Sequence, residues 1–366
     1  MNLVCLSGYA TPYLFRITTK TEKIGIYGSK LASDRLLPCI QSPTFSPVPV
    51  INSQFRPTGF LKNAHLQTVL ASKVFKPKLV DTKRERIEIP DGDFIDINIA
   101  QGDSQNVVAL FHGLAGCVES PYIQGVIAAL KSCGFQPVLM HWRGCSGEPN
   151  RLSRAYHSGA SDDIDWFIQY LKNRYADANL YAVGYSLGGN ALLKYLGEQG
   201  NKSPLKGAMA VSPPLVLSEG ANQLDRGFAK IYQRYLLNLM RKQHEKKRLR
   251  YPDLNVPVAH KGLNTFWKFD NEITAPLHGY AGVDDYYTRC SARQYLSSIH
   301  VPTRILSARD DPFFTQAILP DASELSDQVT LEISEHGGHV GFLGESGRWL
   351  DSHVAHTMNS FKTAAN

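Results

Sequence analysis

Apolar and polar positions change their period several times along this chain, and each change predicts an element. From Arg84 to Ala100 the run "RERIEIPDGDFIDINIA" alternates apolar and polar residues on both sides of Asp91-Gly92. A period of two, broken by a turn with a glycine to take positive φ, predicts an antiparallel hairpin. From Asn106 onward, short apolar runs alternate with helical ones: "VVALF", "SPYIQGVIAALKSCG", "QPVLMHW", "DDIDWFIQYLKNRY" and "NLYAVG". That alternation predicts parallel strands joined by crossover helices. Ser120 reads as a cap with Pro121 at the first helical position, and Gly134 follows the last turn. In the second helix Ile164, Phe167, Ile168 and Leu171 recur at i, i+3, i+4 and i+7, one stripe to lie on a sheet.

After "GAMAVSPP" the alternation pauses until "PTRILSARDD" and "VTLEISEHGGH", which read as strands ending in polar loops. The stretch between, residues 215–298, is rich in aromatic and basic residues and reads as a helical cap inserted at one edge of the sheet. Within it Phe228, Ile231, Tyr232, Tyr235, Leu236 and Leu239 share one helical face ahead of a basic run. This segment reads as a cap helix over a pocket with a solvated charged tail; a basic amphipathic helix can also lie on anionic lipid. Residues 1–50 end in "LPCIQSPTFSPVPV", where Pro38, Pro43, Pro47 and Pro49 favour an extended tether. The expected organisation is an N-terminal extension over 1–50 and one α/β domain over 51–366. Its sheet is mostly parallel and doubly wound, with an antiparallel N-terminal hairpin and a helical cap.

Composition narrows the function classes. The 366 residues are 43% hydrophobic and 20% charged, which excludes disorder as the main state. A net charge of +6 with Lys and Arg scattered does not favour nucleic acid as a partner. Six cysteines, at positions 5, 39, 117, 133, 145 and 290, form no CxxC pair and no zinc spacing, so they read as reduced thiols in the cytoplasm. No stretch approaches the roughly 20 apolar residues of a membrane span.

The chemistry starts at Gly184-Tyr185-Ser186-Leu187-Gly188, a GxSxG that falls between a predicted strand and a predicted helix. In that setting the serine projects at the C-terminal edge of the sheet, with the helix N-terminus behind it. A serine hydroxyl needs a base and an orienting carboxylate, in the order Ser, Asp, His. Asp310 and Asp311 follow "TRILS", and His339 follows "TLEIS", so both loops emerge at the same edge. Asp311 is preferred over Asp310 because Pro312 fixes the loop just after it; loop capping is the plain structural reading of either. His339 is preferred over His336 because Gly337-Gly338 lets the backbone swing the ring toward the serine. His112-Gly113-Leu114 follows "VVALF", and the amides of Leu114 and Leu187 would form an oxyanion hole, with the His112 ring holding the loop.

The motifs "HGLAG", "GYSLGGN", "ARDDPF" and "GGHVGF" together resemble the α/β-hydrolase superfamily, and further marks resemble its YheT/EMB8-like branch, related to the ABHD1/ABHD3-type lipases. These are "NAHLQT" at Asn63–Thr68, "HWRGCSG" at His141–Gly147, "YHSGASDDI" at Tyr156–Ile164, and "ITAPLHGY" with "DYY" from Ile273 to Tyr287. The resemblance covers roughly Phe55 to Phe361. It implies the α/β-hydrolase fold and an esterase or lipase that cleaves short- to medium-chain acyl esters or lipid esters through an acyl-enzyme. It implies Ser186 as nucleophile, Asp311 as relay and His339 as base, with no metal or organic cofactor. Transfer of the acyl group to another acceptor and a non-catalytic binding role stand as alternatives.

Overall fold

The computed structural model of the protein describes residues 49–253, 257–345 and 347–364. The expected extension lies outside them except for Pro49 and Val50. One sheet contains β1 (Val50–Asn52), β2 (Lys83–Glu88), β3 (Phe94–Ile99), β4 (Asn106–Phe111), β5 (Gln136–Met140), β6 (Asn179–Tyr185), β7 (Leu205–Val211), β8 (Thr303–Ala308) and β9 (Val329–Ser334). Their spatial order is β1-β9-β8-β7-β6-β4-β5-β3-β2. In β4, Val107, Ala109 and Phe111 point into one core while Val108 and Leu110 point into the other, and all five are fully buried. Strands buried on both faces must be apolar throughout and need helices on both sides.

Those helices divide between the two faces. On one face lie α2 (Pro121–Ser132) and the C-terminal α10 (Trp349–Ala364), which put Ile123, Val126, Ile127, Val354 and Met358 onto the sheet. The other face carries α3 (Ser161–Arg174) and α4 (Leu187–Gln199), where Ile164, Phe167, Ile168 and Leu171 are all fully buried. A further helix, α1 (Ala64–Lys73), crosses the end of the sheet where the strands finish. Between β7 and β8 the chain forms α5 (Leu217–Leu224), α6 (Ala229–Arg250), α7 (Phe266–Phe269), α8 (Ala275–Leu277) and α9 (Val283–Cys290). A π-turn over Asp270–Thr274 links α7 to α8.

The hairpin forms where the alternation placed it. β2 pairs antiparallel with β3 from Lys83↔Ile99 to Glu88↔Phe94, and Gly92 N donates to Ile89 O at 3.0 Å in the turn. β3 runs antiparallel to β5, and the pairings from β5 through β4, β6, β7, β8 and β9 are all parallel. Three local expectations need correction. β1 is a strand that the proline-rich context hid: it pairs in parallel with β9 alone, and an edge position tolerates neighbouring prolines. Ser120 occupies the N-cap position, but its hydroxyl accepts from Cys117 N at 3.0 Å instead of capping α2. The basic end of α6 is not wholly solvated, because Lys247 is 5% exposed and its ammonium donates to the carbonyls of Leu152, Ser153 and Arg154.

One buried ion cluster ties the hairpin to the helical layer. Arg143, between β5 and α3, donates to Asp163 Oδ1 at 2.8 Å and Asp93 Oδ2 at 3.1 Å, and pairs with Asp91 at 2.8 Å. Asp163 therefore does more than complement the start of α3. Burial opposes the charge on the guanidinium, but Asp163 and Asp91 hold it well above its usual range. Removing one member of such a cluster strands buried charge, at about 3–5 kcal/mol. Arg143→Met is expected to lower the unfolding free energy by that amount in urea titration, and a loss below about 1 kcal/mol would contradict the assignment.

Candidate active site

Ser186 sits at the sharp reversal from β6 into α4 with φ 50° and ψ −119°, a conformation L-residues rarely adopt. The flanking glycines make it sterically feasible. A Cβ on Gly184 would lie 2.4 Å from Gly188 O, the crowding across the serine that the motif implies. Gly188 has a different reason: a Cβ there would lie 2.5 Å from Phe111 O, so the small residue lets α4 press onto the end of β4. The other non-glycine residues at positive φ among those described are Ala115, Ser212, Val340 and Phe342. They lie in the loops after β4, β7 and β9, at the same sheet edge. Strain gathers there because rigid neighbouring strands over-determine it.

Three loops converge on the serine. His339, after β9, places Nε2 2.9 Å from Ser186 Oγ and Nδ1 2.8 Å from Asp311 Oδ2. Asp311, after β8, accepts from Phe313 N at 2.8 Å through its other oxygen, and both side chains are nearly buried. A carboxylate facing Nδ1 selects the tautomer with its proton there, leaving Nε2 to accept from the serine hydroxyl. The neighbouring pair is separate. Asp310 accepts from Gly338 N at 2.9 Å and faces His336 Nδ1 at 3.3 Å, and burial pushes its carboxyl above the usual range. Asp310 and His336 thus brace the loop that carries His339, and neither touches the serine.

Other contacts hold the imidazole, and sequence reading assigned neither Phe313 nor Thr68 to it. The Phe313 ring stacks on the His339 ring with centroids 4.0 Å apart and planes within 8°. Thr68 Oγ1, on α1, accepts from His339 N at 2.9 Å, which gives a structural sense to the "NAHLQT" mark. Gly338 stands at φ 58°, and a Cβ there would lie 2.5 Å from Ala64 O of the same helix. The signal for Phe313 was present only as an aromatic pair after the aspartates, which any apolar loop anchor would also give.

The loop after β4 faces the serine from the other side. Gly113 N donates to Tyr122 Oη and Ala115 N to Tyr156 Oη, each at 2.9 Å. The Leu114 amide between them has no protein acceptor among the described residues, and Leu187 N, in the first position of α4, has no intrahelical one. His112 is fully buried and neutral, with burial lowering its imidazole to about 4. Its Nε2 accepts from Trp142 N at 3.2 Å, so Nδ1 donates to Gly113 O at 2.7 Å and locks the loop.

A cavity of about 500 Å³ opens over Ser186 and His339, walled by Leu217, Leu224, Tyr232, Leu236 and Leu239 from α5 and α6. Its volume and apolar lining are those of a small-molecule pocket. Among the described residues no three His, Cys, Asp or Glu side chains are grouped to hold a metal ion.

The sequence profile of the α/β hydrolase fold matches residues 106–346. Over 324 residues the chain is 40% identical to YheT of Escherichia coli, which carries an esterase name, covering 86% of this chain and 95% of that protein. It is 27% identical to the human phospholipase ABHD3 over 309 residues, 81% of this chain and 75% of the other. Among solved structures the Pyrococcus furiosus esterase Pf2001 matches with a TM-score of 0.53 at 15% identity, over 84% of this chain and 98% of the other, a likeness of fold. With the serine elbow, the strand order and these matches in hand, the chain belongs to the α/β-hydrolase family, in its YheT branch.

Proposed function

We propose that the protein is a carboxylic ester hydrolase that works through an acyl-enzyme on Ser186. The observation that carries this reading is the unbroken hydrogen-bonded chain Ser186–His339–Asp311, assembled from three loops at one sheet edge. His339 Nε2 takes the proton as Ser186 Oγ attacks the carbonyl carbon, and Asp311 stabilises the imidazolium. The amides of Leu114 and Leu187 receive the oxyanion. The imidazolium returns its proton to the departing alcohol, and water then deacylates the enzyme by the same relay. The relatives named esterase and phospholipase support ester cleavage, and the apolar cavity suits the acyl chain.

The exposed surface beside the cavity supports a lipid source for the ester. Leu66 and Val69 of α1 and Phe228, Ile231 and Tyr235 beside or on α6 are exposed large apolar side chains, and Val69, Ile231 and Tyr235 also line the cavity. The two segments meet at its mouth: His65 Nδ1 lies 3.0 Å from Tyr232 Oη, and Lys73 Nζ donates to Tyr235 Oη at 3.1 Å. Around them Lys62, Lys73, Lys76, Lys78, Lys230 and Arg234 are exposed, and no acidic residue occurs from Arg56 to Val80. An apolar rim within a basic border complements an anionic lipid surface. No described helix is long and apolar enough to cross a membrane, so the contact is peripheral in this reading.

Three outcomes test these points. With p-nitrophenyl esters of graded chain length, Ser186→Ala is expected to lose at least about 10³-fold in kcat, as loss of a triad nucleophile does; an unchanged rate contradicts the mechanism. Asp311→Asn, which spoils the tautomer, is expected to lose about 10³- to 10⁴-fold, and Asp310→Asn far less; the reverse order would transfer the relay role to Asp310. In co-sedimentation, vesicles containing phosphatidylglycerol should retain the wild type. Phe228→Ser/Ile231→Ser should weaken that retention at least about tenfold, given the transfer free energy of two large apolar side chains, whereas equal retention would remove the docking face.

A further inference from the structure

Buried carboxylates in this fold are matched with cations or imidazoles. Asp93 and Asp163 face Arg143, Asp96 faces Arg84 and Arg86, Asp311 faces His339, Glu332 faces Arg304 and His353, and Asp351 faces Arg348. Asp270 breaks the pattern. It is 6% exposed and makes no ion pair among the described residues; its two oxygens accept from Thr274 Oγ1 at 2.6 Å and Tyr287 Oη at 2.8 Å. Burial raises its carboxyl to about 6, against the two hydroxyls that favour its ionised form. A buried charge held only by two hydroxyls is expensive to maintain, and two such donors leave lone pairs unused. The π-turn that carries it is an irregularity often found at functional sites.

Its location gives the charge a use. Asp270 lines the cavity that holds Ser186 and His339, and it also lines a second cavity of about 110 Å³. The two share Leu114, Ser158, Leu187, Phe266 and Asp270 as walls, so the carboxylate stands at their boundary together with the two residues whose amides face the serine. The smaller cavity is walled largely by apolar groups, but His157, His244, His278, Arg143 and Lys247 also line it. Its cations are already engaged, Arg143 by aspartates and Lys247 by carbonyls. Burial holds the imidazoles of His157 and His278 below their usual range, and His278 Nε2 is buried without a protein partner. Neutral imidazoles beside a carboxylate present acceptors and donors to hydroxyl groups, while Arg143 and Lys247 oppose a cationic ligand.

We infer that Asp270 is a specificity-determining residue for the alcohol half of the ester, accepting a hydrogen bond from a free hydroxyl of a polyhydroxy alcohol whose acyl chain occupies the apolar cavity. This rests on the hydrolase reading of Ser186. A site built to bond a substrate hydroxyl discriminates strongly against the analogue that lacks it, because the protein group is then left unpaired.

The test compares kcat/KM for glyceryl monooctanoate and methyl octanoate, which share an acyl chain and differ in the hydroxyls of the alcohol. The wild type is expected to prefer the glyceryl ester at least about tenfold, and Asp270→Ala to lower that ratio at least about tenfold. A wild-type ratio near or below one overturns the inference whether or not the variant folds, and so does a ratio that survives the substitution within twofold. Failure of the underlying reading looks different: the wild type would then cleave neither ester, and the assignment of Asp270 would fall with it.

Discussion

A serine hydroxyl 2.9 Å from an imidazole nitrogen is useful only while that imidazole cannot turn away, and the surroundings of His339 all act on this one rotation. Asp311 fixes one edge of the ring and Phe313 covers a face, while Thr68 holds the backbone amide of the same residue. Asp310 acts one step further out by bonding the amide of Gly338. These groups come from the loop after β8 and from α1, elements far apart in sequence. Their meeting depends on the parallel run of β4, β6, β7, β8 and β9, whose C-terminal ends reach the same edge.

The sheet also bears the strain of the site. A left-handed serine, a left-handed valine and three other non-glycine residues at positive φ are each unfavourable locally. They persist because β4, β6, β7, β8 and β9 are buried on both faces and paired on both edges, so relaxing one loop would disturb the packing of two helical layers. Stability and chemistry are thus separated in space, with apolar side chains through the middle and polar strained loops at one end.

Much of this organisation is legible in the sequence because it is local. The hairpin, the α3 stripe and the serine turn each follow from period, turn chemistry or the absence of a Cβ over a few residues. The choice between Asp310 and Asp311 was not settled there, since the two are adjacent in one loop. Only the fold turns one carboxylate toward His339 and the other toward Gly338 and His336. The Arg143 cluster, the buried Lys247 and strand β1 were hidden for a related reason. Each depends on partners at least ten residues away, such as Asp93 for Arg143 or β9 for β1, and charge or proline content alone points such residues toward solvent.

The central claim is that Ser186 is a nucleophile because His339 takes its proton. The most direct measurement is covalent labelling of the native protein with a fluorophosphonate, the adduct being located by mass spectrometry in the wild type and in His339→Ala. The account predicts one adduct, on Ser186, forming at least about 10³-fold more slowly without the imidazole. An unlabelled Ser186 in folded protein, or equal labelling rates in the two proteins, would contradict it.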